Sequence, residues 1–300
     1  MNRRQFLTGC VTAGLTINIR TVLAARSNYH EKIIRLWPEI PPGGGGPVGA
    51  MTLTMSGAVS NIAVPTLTIL TPKNPNGHGV LIAGGGGYKK VAVRLEGRAA
   101  AEWLVARGYT AYILTYRLPG EGWKAGALAP LQDAQRAIRI IRQYEKKVSV
   151  LGFSSGGHLM GMAALRPEFI SYDPVDHLDK TPVIVDRAAL IYPIITLEPP
   201  FTHTSTHNVL VGKKATTAQD AAWSVQNYVT SHSPPIFLVQ AENDPIANVQ
   251  NTVIMAAACQ KQHVPVTMYI YPKGGHGFAL GKPGTPPSEW PKHYEEWLKS

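Results

Sequence analysis

The sequence predicts an α/β domain: a mostly parallel central sheet with helices on both faces. Three observations carry the prediction. Short apolar runs rich in Val, Ile and Tyr recur from residue 67 onward. Helix-length amphipathic segments separate them. The runs are apolar throughout rather than alternating, as strands buried on both faces must be. At 300 residues, 44% hydrophobic and 16% charged, the chain fits one large domain or two small ones. Such a core needs no disulfide or metal staple.

Taken in order, residues 1–24 read as an export signal. Arg3-Arg4 precede Phe6-Leu7 and a mildly apolar stretch to Ile19, a pattern that resembles a twin-arginine (Tat) signal. Val22-Leu23-Ala24 suits cleavage after Ala24, which would remove Arg3, Arg4 and Arg20 and no acid. An amphipathic N-terminal helix is the plainer alternative, and Leu7-Thr-Gly-Cys10 also fits a lipoprotein box. The expected location is therefore periplasmic or secreted. Cys10 would leave with the signal and Cys259 would stand alone, so the mature chain would hold no internal disulfide. Cys259 itself reads as a buried, small apolar residue.

Residues 25–66 read as an irregular arm with one or two short strands, and 67–300 as the main domain. Strands are expected at 67–71, 80–83, 110–116, 148–153, 188–193, 236–240 and 266–271. Helices are expected at 93–107, 130–144, 155–165, 249–262 and 289–299. Pro130 suits a first helical position with Asp133 in the first turn, and Gly108 suits a helix end. Residues 166–187 and 195–234, rich in Pro, His, Thr and Ser, read as insertions over the C-terminal ends of the strands, where a pocket belongs. There are no internal repeats, no linker after residue 67, and no further run of about 20 apolar residues that could span a membrane.

Gly152-Phe-Ser-Ser-Gly156 fits G-x-S-x-G, with a strand expected before it and a helix after it. A sharp strand-to-helix turn would lift the Ser154 hydroxyl out of the sheet and over a helix N-terminus, which resembles the nucleophile elbow of the α/β-hydrolase fold. A serine hydroxyl needs a base, and the base needs an orienting group. In this fold the chain order is Ser, acid, His. His276, in Gly274-Gly-His-Gly-Phe278, follows one expected strand, and Asp244, in Glu242-Asn-Asp-Pro245, follows another. Glu242 is the rival acid. The acyl-transfer intermediate also needs N–H donors for its oxyanion. Those expected are Gly86 and Gly87, from the run Gly84–Gly87, and Ser155, with the glycine register open by one. That run lacks the Gly-Lys-Ser/Thr of a phosphate loop.

His158 reads as structural, holding the glycine loop or the helix start. His203 and His207 have i, i+4 spacing without an evident carboxylate, which does not make a metal site. Trp123 and Trp223 read as pocket wall or core. The chain carries a formal charge of +10 with an isoelectric point near 9.6. Its Lys and Arg form no long run or stripe, which argues against a nucleic-acid partner. The diffuse positive field is plain solubility or attraction to an acidic substrate.

Taken together, Gly84-Gly-Gly-Gly-Tyr88, Leu131-Gln-Asp-Ala-Gln135, Gly152-Phe-Ser-Ser-Gly-Gly-His158, Glu242-Asn-Asp244 and Gly275-His-Gly277 resemble the bacterial acetyl esterases and acetylxylan esterases of the α/β-hydrolase group, which are related to feruloyl-esterase-like and hormone-sensitive-lipase-like carboxylesterases. Leu36-Trp-Pro38 resembles the opening of such secreted enzymes, and the likeness spans roughly residues 34–299. It implies Ser154 as nucleophile, Asp244 as orienting acid and His276 as base, acting without a cofactor on an acylated carbohydrate or other small ester. Two residues depart from the pattern: Ser155 stands where Ala is common, and Gly84 where lipase-like relatives carry His. The rival readings are a peptidase of the prolyl-oligopeptidase kind and a non-catalytic sugar-binding protein on the same fold. Oligomeric state has no signature in the sequence.

Overall fold

The computed structural model describes residues 28–300. The expected signal at 1–24 and Cys10 lie outside the described residues. The domain is built on one eight-stranded sheet. Its strands in chain order are β1 (Tyr29–Arg35), β4 (Thr66–Pro72), β5 (His78–Ala83), β6 (Thr110–Thr115), β7 (Lys147–Phe153), β8 (Arg187–Ile191), β9 (Ile236–Ala241) and β10 (Val266–Tyr271). The short β2 (Thr52–Leu53) and β3 (Val59–Ser60) form a separate ribbon. The sheet order is β1-β4-β6-β5-β7-β8-β9-β10. The β1–β4 and β4–β6 pairs are antiparallel, and every pair from β6 to β10 is parallel.

Helices cover both faces. Ala100 and Leu104 of α1 (Ala99–Val105) and Trp290 and Tyr294 of α7 (Trp290–Lys299) pack with Val80, Ile113 and Phe237 on one side. On the other side, α2 (Leu128–Ile141), α3 (Ser155–Leu165) and α6 (Gln250–Lys261) bring Ile138, Met160 and Met255 against Leu81, Val150 and Leu238. The alternation of faces along each strand follows from the period of two in an extended chain. Cys259 is buried in α6, and burial pushes its thiol up to about 12. Among the described residues no helix is long and apolar enough to cross a membrane.

Several local expectations need correction. The segment read as an arm contributes an edge strand: β1 pairs along its whole length with β4, while Leu36 and Trp37 enter the core. Its side chains are mostly exposed, including Glu31, Lys32 and Arg35, so no burial pattern marks it, and charge guards the open edge. Helix α2 starts at Leu128, two residues ahead of Pro130, and Asp133 is not a first-turn acid but a buried ion-pair partner of Arg117. The helix expected over 93–107 opens as a π-helical turn, Val93–Arg98, before α1. Residues 166–187 run from the end of α3 to the start of β8. They therefore lie at the N-terminal ends of the strands, because a helix antiparallel to its strand returns the chain to that edge. There Asp176 and Asp179 pair with Arg136 of α2. Residues 195–234 do leave the C-terminal ends. They carry two short helices unseen in the sequence, α4 (Ser205–Leu210) and α5 (Thr217–Ala222), capped by the Thr204 and Thr216 hydroxyls.

Candidate active site

The turn after β7 places Ser154 at φ 52°, ψ −120°, a conformation a non-glycine residue holds only under constraint. The flanking glycines show why: a Cβ on Gly152 would collide with the Gly156 carbonyl, and one on Gly156 with the Ala83 carbonyl. The backbone is pinned on both sides. Ser154 N–H donates to the Ile191 carbonyl at 3.0 Å, and its own carbonyl accepts from His158 N–H at 3.2 Å.

Ser154, His276 and Asp244 come together from three separate strand ends. Ser154 Oγ lies 2.8 Å from His276 Nε2, and His276 Nδ1 lies 2.7 Å from Asp244 Oδ2. Asp244 is held in turn: its Oδ1 accepts from the Ile246 and Ala247 amides at 2.8 and 2.9 Å, and its Oδ2 from Gln240 Nε2 at 3.2 Å. Its carboxylate is fully enclosed while the imidazole keeps 18% exposure. Asn243 Oδ1 accepts from the amides of Gly274 and Gly275, both at 2.9 Å, and so ties the histidine loop to the acid loop. Glu242, the rival acid, is exposed.

The glycine run faces the same point. A peptide unit is clamped at its start: Tyr116 Oη donates to the Gly84 carbonyl at 2.7 Å, and Gly85 N–H donates to Glu96 Oε2 at 2.6 Å. Gly87 N–H donates to Ser155 Oγ at 2.8 Å, so this amide is engaged by the very side chain that departs from the usual alanine. Tyr88 Oη lies 2.9 Å from His158 Nδ1, and His158 Nε2 lies 2.7 Å from the Trp223 carbonyl. His158 thus braces the glycine loop against the 195–234 insertion, as its structural reading expects. Burial lowers its pKa to about 4, so it stays neutral. Gly84 cannot carry the histidine of lipase-like relatives here, since a Cβ would sit 2.7 Å from the Ala92 carbonyl oxygen.

Two participants were not singled out in the sequence. Glu96, in the π-helical turn, is buried and also accepts from Tyr192 Oη at 2.9 Å. Burial raises its pKa, opposed by the Gly85 amide, the Tyr192 hydroxyl and nearby His276. In the sequence, a lone Glu in a helix-like run looks like a surface residue, and Tyr192 looks like a core aromatic.

The cavity over Ser154 has a volume of about 360 Å³. Leu95, Ile194 and Ile246 give it apolar wall, and Thr204, Ser205 and Thr206 of the insertion give it a polar one. A larger cleft of about 810 Å³ opens around Arg166, Phe169 and Tyr228, beside the residues leading into β8 and β9 and thus at the opposite ends of the strands. It includes none of Ser154, Asp244 and His276. Of the remaining candidates, His207 Nε2 pairs with Asp220 Oδ1 at 2.9 Å, a carboxylate 13 positions away that spacing alone does not reveal. Among the described residues no cluster of three or more His, Cys, Asp or Glu could hold a metal ion. Trp123 is buried with the Arg117 guanidinium 5.1 Å from its ring, and Trp223 stacks on His158.

The BD-FAE family model matches residues 67–259, and the chain belongs to that family. It is 29% identical over 208 residues to endo-1,4-beta-xylanase B of Butyrivibrio fibrisolvens, covering 67% of this chain and 32% of that protein. It is 25% identical to the acetylxylan esterase of Xylanibacter ruminicola, covering 100% of this chain and 55% of that one. The chain thus spans about half, or less, of these relatives' length. Among solved structures, the acetyl ester-xyloside bifunctional hydrolase of Caldicellulosiruptor lactoaceticus superposes with a TM-score of 0.70 at 29% identity, covering 88% of this chain and 98% of that one.

Proposed function

We propose that this BD-FAE family member is a serine carboxylesterase that removes short acyl groups, acetyl above all, from sugar hydroxyls such as those of acetylated xylan or pectin oligomers. The observation that carries the reading is the hydrogen-bonded series Ser154–His276–Asp244 opening into a small, half-apolar cavity. In this reading Ser154 Oγ attacks the ester carbonyl while His276 Nε2 takes its proton. Asp244 holds the tautomer that keeps Nε2 free to accept. The oxyanion is met by the amides of Gly86 and Ser155, each donor contributing about 3–4 kcal/mol. The Gly87 amide, bonded to Ser155 Oγ, serves to hold the loop. His276 then protonates the departing sugar oxygen, and water attacks the acyl-enzyme by the same route in reverse. The cavity size favours a short acyl chain, and the similarity to an acetylxylan esterase and an acetyl ester-xyloside hydrolase favours xylan esters. The Arg3-Arg4 segment supports reaction outside the cytoplasm.

The test is acetate release from acetylated xylan, acetylated pectin oligomers and p-nitrophenyl acetate, with a peptide nitroanilide alongside and Ser154→Ala in parallel. Release of acetate that falls on the order of 10⁶-fold in kcat with the alanine variant is the expected result. Turnover of the nitroanilide alone, or turnover indifferent to Ser154→Ala, overturns it.

A further inference from the structure

We propose that Glu96 is a positioning residue that holds the oxyanion loop and the histidine loop in one mutual setting; the inference rests on the esterase reading above. Four observations lead to it.

First, Glu96 is buried at 7% exposure, yet none of the ion pairs among the described residues involves it. A buried carboxylate without a cation is costly to fold around. Stability alone does not account for keeping one.

Second, its two oxygens reach two different loops. Oε2 accepts from the Gly85 amide, and Oε1 accepts from the Tyr192 hydroxyl. The Gly84–Gly85 peptide is gripped from its other side by Tyr116 Oη. Fixing that peptide fixes the direction of the next one, which carries the Gly86 amide expected to meet the oxyanion. A Cβ built on Gly85 would lie 2.7 Å from Ser154 Cβ and 3.3 Å from Glu96 Oε2, so the clamp sits directly against the nucleophile.

Third, the Tyr192 hydroxyl carries the link onward. It accepts from Ala279 N–H at 3.0 Å, three residues beyond His276. The Tyr192 ring meets the His276 imidazole edge-on with centroids 5.1 Å apart, and Phe278 at 4.5 Å. Glu96 is therefore one hydrogen bond from the oxyanion loop and two from the histidine loop.

Fourth, the backbone is bent to make these contacts. Tyr192 and Ala279 both hold positive φ, 38° and 49°. Glu96 itself lies in a π-helical turn, which replaces a regular helix at the point of contact. Strain of this kind persists where the surroundings over-determine it, and it gathers at working sites.

The consequence is geometric. A displacement of about 1 Å between nucleophile, base and oxyanion donor costs on the order of 100-fold in rate. The test uses the full chain with p-nitrophenyl acetate, the fraction of active sites being counted by stoichiometric labelling of Ser154 with a fluorophosphonate. Variants are Glu96→Gln, Glu96→Ala, Tyr192→Phe and the Glu96→Gln/Tyr192→Phe pair. In Glu96→Ala, kcat per labelled site is expected to fall about 10- to 100-fold, with KM within about threefold. Glu96→Gln, which keeps an acceptor for the Gly85 amide, should recover part of that loss. Tyr192→Phe should fall in the same direction, and the double variant should be no worse than about the weaker single, because both cut one linkage. Unchanged kcat per labelled site in both Glu96→Gln and Tyr192→Phe, or losses that simply multiply in the pair, would overturn the role. Parent turnover that survives Ser154→Ala sinks the esterase reading instead. The two failures are thus distinct.

Discussion

The cluster around Asp244 and the cluster around Asp133 are built from the same kinds of group. Each has an aspartate whose side chain is fully enclosed, a nitrogen-bearing side chain bonded to it, and at least one backbone amide donating to its carboxylate. Around Asp133 both charged side chains are sealed from solvent. Its Oδ1 accepts from Trp37 Nε1 at 2.7 Å and Arg117 Nε at 2.9 Å, and its Oδ2 from the Arg117 amide at 2.8 Å. Arg117 turns three more N–H groups to the Pro42 and Ala129 carbonyls and to Gln132 Oε1. Neither charged side chain is open to a ligand. Around Asp244 the series runs outward instead, through a partly exposed imidazole to a serine on a strained turn that lines a cavity. What separates the two clusters is a partly exposed group at an open end. Buried charge is common to both.

That contrast can be broken at either cluster. Between the two buried charge clusters, the larger effect is expected at Asp244→Asn. An amide there loses the charge and favours the wrong imidazole tautomer, so kcat should fall on the order of 10⁴-fold, with thermal unfolding little changed. A comparable loss of folding stability, read by urea titration, would show that Asp244 is a fastening residue like Asp133. The next effect is expected at Arg117→Met, which leaves Asp133 buried without its cation and should cost about 3–5 kcal/mol. Its kcat per labelled Ser154 should match the parent, and a drop in that ratio would join the two clusters functionally.

A smaller effect sharpens the contrast through pH. Burial holds His158 and His78 near 4, below the usual 6.5. Between those values the unfolded chain binds protons that the folded chain does not, so unfolding free energy rises with pH across that window. Their stabilising contribution is present in full above about 6.5 and is lost as pH falls toward 4. For His158 the change is on the order of 3 kcal/mol. Urea midpoints measured from pH 7 to pH 4 should decline, and His158→Gln should flatten part of that slope. Equal slopes in parent and variant would mean that His158 titrates normally and does not brace the Tyr88 loop as a neutral ring.

Much of this was legible from residues alone, and the limits are instructive. The apolar runs expected at 80–83, 110–116 and 236–240 announce strands because both faces of such strands are buried, as they are for β5, β6 and β9. Ser154, Asp244 and His276 were legible because each follows an expected strand, at 148–153, 236–240 and 266–271, in the order the fold demands. Strand β1 was not, because an edge strand meets solvent and carries charge. Asp133 was misplaced because an acid near the expected start of a helix suits the helix dipole as well as it suits a buried arginine.

The local sequence therefore determined which segments extend, which coil, and where the chain turns sharply enough to lift a serine. Those properties depend on neighbours within a few residues, through backbone sterics and the periodicity of burial. Only the tertiary structure decided which groups meet across long separations: Asp220 with His207, Asp133 with Trp37, and Glu96 with Tyr192 at a separation of 96 residues. Side-chain pairing at that range depends on how the layers stack and on where burial leaves a polar atom in need of a partner. No local pattern in the chain encodes either.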